Sequence, residues 1–186
     1  MKPITNITFN FNEAEDRIVL HCTFDDQAPV ALLLTRRMTG AILEKLAIIL
    51  MESSDMAAAL PAKLREDVIM MEHAQTLAKM AEQAAHTDAV APPTAPPTAQ
   101  KPLVRHLLTR IDIRRQPEHC ALLLYCNSSE TALAVIMLTR AQLHWFVNAM
   151  DRFAQRAEWE LKPLQRGWLA QRDEAATVFS GTAVLH

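Results

Sequence analysis

The chain has 186 residues, half of them hydrophobic and 22% charged, with a formal net charge of -2 at pH 7. That is a globular mixture with enough apolar side chain for a core, and it lacks the excess positive charge of a global nucleic-acid footprint. Its three glycines, Gly40, Gly167 and Gly181, are too scattered for a P-loop, a dinucleotide-binding turn or a GxSxG elbow, all of which need close-spaced glycine.

In chain order, Ile7, Phe9 and Phe11 alternate with Thr8 and Asn10, the period of a half-buried strand. The polar cluster from Asn12 to Asp16 turns the chain. Ile18, Leu20, Cys22 and Phe24 alternate with Val19, His21 and Thr23 in a second strand. Asp25, Asp26 and Gln27 turn it again, and Val30 to Leu34 read as a third strand. Ile42, Leu46 and Ile49 then run at helical spacing.

Residues 52 to 86 are rich in Ala, Met and Glu. Pro61 suits the start of a helix whose stripe reads Leu64, Val68, Met71 and Ala74. Met70, Met71, Glu72, His73 and Met80 could be drawn as a soft-metal site, but methionine at helical spacing reads as core or interface, and no metal or cofactor is expected. Residues 87 to 102 form a Pro/Ala/Thr linker.

The strand, strand, strand, helix pattern then recurs. "ALLLTRRMTG" at residues 31 to 40 answers "VIMLTRAQLH" at residues 135 to 144, an offset of 104 that also carries Ile7 to Ile111, Leu20 to Leu124 and Cys22 to Cys126. The expected fold is α+β, with two tandem βββα modules forming a pseudo-symmetric antiparallel sheet, or two packed sheets, covered by helices. The expected boundaries are 1–86 for the first module plus its extra helix, 87–102 for the linker, 103–158 for the second module and 159–186 for a Trp-containing tail. In that tail "TVFSGTAVL" could supply an edge strand, placed by preference within the same chain.

The repeated Leu-Thr-Arg has a mechanical reading. The leucine ends a buried strand, and the threonine (Thr35 or Thr139) caps a helix. Thr139 and Gln142 fit a capping box; Met38 denies one to the first copy. Arg36 and Arg140 are odder, because a cation in the first turn faces the positive end of the helix dipole. Each calls for a specific partner, either a turn carboxylate such as Asp16 or Glu118 or an external anion held at the helix start.

Charge is uneven along the chain. Residues 1–60 hold five basic and eight acidic side chains; residues 101–156 hold eight basic and four acidic. The first reading is mutual attraction between the halves. Arg110 and Arg114 alternate with inward Ile111 and Ile113, so they could also face an acidic partner or a phosphate backbone.

Cys22, Cys120 and Cys126 show no CxxC spacing, and the count argues against a disulfide framework. No HExxH or nucleophile motif stands out, so no enzyme is expected. No apolar run approaches the ~20 residues that span a bilayer. MKPITNITFN lacks the apolar region of a secretory signal, so a cytoplasmic location is expected. The expected function is a non-catalytic protein–protein interaction module, an adaptor or assembly factor, whose partner is another protein or a second copy of the chain. Trp159 and Trp168 are its candidate interface residues. The alternative is single-stranded nucleic-acid binding through the basic face around Arg110 and Arg114, and a third reading is a small-anion sensor at Arg36 and Arg140.

Overall fold

A computed structural model describes residues 2–87, 103–161 and 184–185. The fold is α+β, built among the described residues on six main strands, two short ones and four helices. The N-terminal half runs β1 (Lys2–Pro3), β2 (Asn6–Asn12), β3 (Arg17–Thr23), β4 (Val30–Leu34), α1 (Arg36–Glu52), α2 (Asp55–Ala58) and α3 (Ala62–Thr87). The C-terminal half runs β5 (Val104–Arg115), β6 (His119–Cys126), β7 (Ala134–Thr139), α4 (Arg140–Arg156) and β8 (Val184–Leu185). The linker positions 88–102 and Trp168 lie outside the described residues.

The strands form one mixed sheet in the order β1-β7-β6-β5-β4-β3-β2-β8. The expectation of an antiparallel sheet is corrected at its centre, where β4 pairs with β5 in parallel. The reason is the connection. Between β4 and β5 the chain passes through α1, α2 and α3, and such a crossover brings the next strand in along the direction of the last.

The sheet also closes on itself. Lys2 and Pro3 pair in parallel with β7, and Asn6 begins the antiparallel pairing with β3. Between them, the Ile4 amide donates to the Val135 carbonyl (2.9 Å) and the Thr5 amide to the Thr23 carbonyl (3.0 Å). A stretch from Pro3 to Asn6 reaches about 10 Å at full extension, whereas a flat sheet would hold β7 and β2 about 24 Å apart. The sheet must therefore curl until its two edges meet at the N-terminal strand. Beyond that junction, Val184 and Leu185 pair with Thr8 and Ile7 on the outer edge of β2, within the same chain.

The curl encloses one main core. Ile7, Phe9, Ile18, Leu20, Leu32 and Leu34 from the first half join Leu108, Leu122, Leu124, Ile136 and Leu138 from the second, together with the inner faces of α1 and α4. Phe9 sits at its centre, with its ring 5.7 Å from Trp145, 5.3 Å from Phe146 and 5.9 Å from Phe153. Helix α4 packs on β2, β6 and β7, and α3 lies over α1 and α4 as an outer layer.

Both helix starts follow the sequence. The Thr35 hydroxyl accepts from the Met38 amide (3.1 Å), and Thr139 with Gln142 forms the reciprocal capping box. The tandem repeat is not confirmed by the strand registers. Ile7 pairs with Cys22 and Phe9 with Leu20, whereas Ile111 pairs with Leu124 and Ile113 with Leu122. The offset of 104 holds for the first strand and the helix cap but slips by two residues in the middle strand, so Cys22 and Cys126 are not equivalent. The stripe expected on α3 holds in part: Val68 packs on the core and Ala74 is half-buried. Leu64 and Met71 are exposed, while Ile69 is buried and Glu72 and His73 are half-buried.

Candidate functional site

Three features carry the chemistry of the described residues: a half-buried ionic cluster, a pinned turn after α4 and an outer sheet face.

The first grows from Arg140. Its position in the first turn of α4 gives the guanidinium no help from the helix dipole. The expected partners Asp16 and Glu118 are not the ones it takes. Its Nε donates to Glu72 Oε1 (2.5 Å) and its Nη2 to Glu72 Oε2 (2.9 Å), a bidentate pair with α3. Nη2 also donates to the Leu50 carbonyl (3.0 Å), and Nη1 donates to Ser53 Oγ. Leu50 is in the last turn of α1, where carbonyls lack helical partners. One side chain thus fastens the end of α1, the middle of α3 and the start of α4.

Glu72 receives a further hydrogen bond from Ser54 Oγ (3.1 Å), the cap of α2. Burial by itself raises the Glu72 pKa, but the Arg140 hydrogen bonds and charge outweigh it and the carboxyl ends below its ordinary value. His144 reaches the same carboxylate through Nε2 (3.4 Å), and its Nδ1 lies 3.0 Å from Nδ1 of His73. With both rings neutral the bonding has one consistent direction: His73 Nδ1–H donates to His144 Nδ1, and His144 Nε2–H donates to Glu72. Burial pushes both imidazoles down, His73 to about 4, with His144 adding to the effect on His73. The arrangement can resist protonation and hold three helices in register. The sequence carried a signal for it, since His144 interrupts the apolar stripe Leu143, Phe146, Val147, Met150 and so required an internal partner.

The second feature holds Trp159 and Arg36. The Trp159 indole N–H donates to Asp16 Oδ1 (2.6 Å), and its ring meets Phe11 edge-on at 6.0 Å. Trp159 is buried, and it anchors the residues that follow α4 to the body. Arg36 Nη2 donates to the Glu160 carbonyl (3.1 Å) beside it. Arg140 thus donates to protein oxygens from all three guanidinium nitrogens, and Arg36 does so from Nη2.

The third feature is the outer sheet face. Arg110 stacks on the Tyr125 ring, 3.7 Å from its centroid, and lies 3.4 Å from Asp112. Arg105 grips Glu15 with two hydrogen bonds of 2.8 and 2.5 Å. Arg114 is exposed, opposite Ala121 on β6, which in turn faces Met137 on β7. Ala121, Leu123, Tyr125 and Val135 form a small second cluster here, to which no helix contributes among the described residues. Leu107 (41%), Leu133 (37%) and Met137 (39%) stay exposed around it. Tyr125 is the one aromatic of that cluster, and Arg110 already covers its ring, which leaves little for stacking nucleobases.

The thiols are chemically quiet. Burial pushes Cys22 up to about 12 and Cys126 to about 11, so neither offers a thiolate near neutral pH. An open cleft of about 470 Å³ lies between the β2–β3 turn and β5, lined by Asn10, Asn12, Val19, His21, Ala31 and Arg105 among others. Among the described residues, no group of three or more His, Cys, Asp or Glu side chains is placed to hold a metal ion, and no helix is long and apolar enough to cross a membrane. Comparison of the chain with protein families, with characterised proteins and with solved structures finds no match.

Proposed function

We propose that this chain is a non-catalytic protein–protein interaction module, an adaptor or assembly factor, that docks its partner on the outer face of the β5–β7 sheet. The supporting observation is the contrast between the two faces. The inner face is sealed by α1 and α4, whereas the outer face leaves Leu107, Leu133 and Met137 exposed beside a second buried cluster to which no described helix contributes. Exposed apolar side chains grouped beside such a cluster are a usual mark of a docking surface. The charged clusters support the same reading, because the side chains that look reactive in the sequence are engaged in holding the fold.

The test is affinity capture from the native host with the full chain, run beside Met137→Glu and Leu133→Glu. A specific partner retained by the wild type and lost by both variants, with the melting temperature unchanged, is the expected outcome. Equal capture by all three would place the function elsewhere. A labelled single-stranded oligonucleotide is titrated in parallel. Salt-sensitive binding that Arg110→Ala and Arg114→Ala weaken would instead favour the nucleic-acid reading.

A further inference from the structure

We infer that the free edge of β5 accepts an acidic, extended peptide as an added strand, an inference that rests on reading the chain as an interaction module. Strand β5 runs from Val104 to Arg115, but β4 accompanies it only from Val104 to Leu107. On its other side, β6 pairs with it as far as Arg115. Among the described residues no strand follows the first edge beyond Leu107. Beyond that point β5, which α1 also contacts, pairs with no described strand on this side, and such an edge presents backbone N–H and C=O groups ready to pair.

The side chains along this edge define what fits. On the inner side, Ile111 and Ile113 pack against the main core yet remain only half-buried, so apolar residues of an added strand would continue that core. On the outer side stand Arg110, Asp112 and Arg114, with Arg115 at the end. A second copy of this chain paired about Asp112 would bring Arg110 against Arg114, and like charges directly opposite each other in a sheet are unfavourable; only the register about Ile111 would set Arg110 against Asp112, and it leaves Arg114 unanswered. Carboxylates on a partner strand would instead sit about 5 Å from the arginines. The period of two then sets the motif: acidic residues four apart, opposite Arg110 and Arg114, a neutral polar residue between them opposite Asp112, and β-branched apolar residues at the alternate positions.

The experiment uses the full chain, isotopically labelled, and a capped peptide of about nine residues with that pattern. Two control peptides accompany it, one with lysine in place of the acids and one with alternate backbone amides methylated. The expected result is amide shifts centred on residues 109–115, from the acidic peptide alone. Affinity should fall about tenfold in Arg114→Glu, and further in Arg110→Glu with Arg114→Glu. Arg114→Glu is the cleaner variant, because Arg110 also stacks on Tyr125. Absence of binding at about 1 mM peptide overturns the proposal, as does equal binding of the methylated or lysine peptide. If the peptide fails while capture sensitive to Met137→Glu persists, strand addition falls and the interaction reading stands. If both fail, both fall.

Discussion

Arg140 shows how one side chain can be expensive where it stands and still be kept. It opposes the helix dipole at the start of α4, yet it satisfies Glu72, Ser53 and the Leu50 carbonyl together. Removing it strands a carboxylate whose side chain is only 20% exposed. Arg140→Ala is therefore expected to cost about 2–4 kcal/mol by denaturant unfolding, the lower part of the range for breaking a buried pair because Arg140 keeps some contact with water. Arg140→Ala combined with Glu72→Gln should recover part of that loss; no recovery would mean the pair is not the reason.

The histidines give a pH dependence at the same scale. His73 and His144 have lower pKa values in the folded chain than the ordinary 6.5. The unfolded chain therefore binds more protons as pH drops below about 6.5. Stability should be full above that pH and decline toward pH 4, where His73 itself titrates. Glu72 acts in the same direction further down, since its depressed pKa means stability present above about 4.5 and lost below it. Unfolding midpoints measured from pH 7.5 to 5 should hold down to about 6.5 and then fall in the wild type, less steeply in His73→Gln. An identical slope in the variant would assign the acid sensitivity to other groups.

At the scale of elements, the helix caps are the most local decisions in the chain. Thr139 and Gln142 satisfy each other's backbone, so Thr139→Ala should cost about 1–2 kcal/mol. Thr35 caps alone, and its replacement by alanine should cost about 1 kcal/mol or less. Both follow from equilibrium unfolding, and a larger loss at Thr35 would reverse the argument. The caps were legible because they involve residues three apart. The face of α3 was not. Its apolar stripe promised Met71 and Leu64 to the core, but Arg140 and His144 demanded Glu72 and His73, and the helix sits rotated to meet them. A methionine tolerates exposure more cheaply than Arg140 and Glu72 tolerate separation.

At the scale of the whole molecule, the two halves share one core and one sheet. Phe9 from the first half packs against three aromatic residues of α4, and β4 hydrogen-bonds to β5. Unfolding should accordingly be a single cooperative transition, with tryptophan fluorescence and far-ultraviolet circular dichroism giving the same midpoint. Separate midpoints would mean the halves stand alone as modules.

The sequence alone settled the strands of each half, the polar turns between them, both threonine caps and most of the core of α1 and α4. Those features depend on residues a few positions apart, through side-chain alternation and local hydrogen bonds. Tertiary structure decided the parallel junction of β4 with β5, the closure of the sheet by Lys2 to Ile4, the two-residue slip of β6 and the choice of Glu72 by Arg140. Each of these joins groups remote along the chain, and each competes with alternatives of similar local energy, such as Asp16 for Arg140 or a register of 104 for β6. Only the summed packing of one shared core separates them.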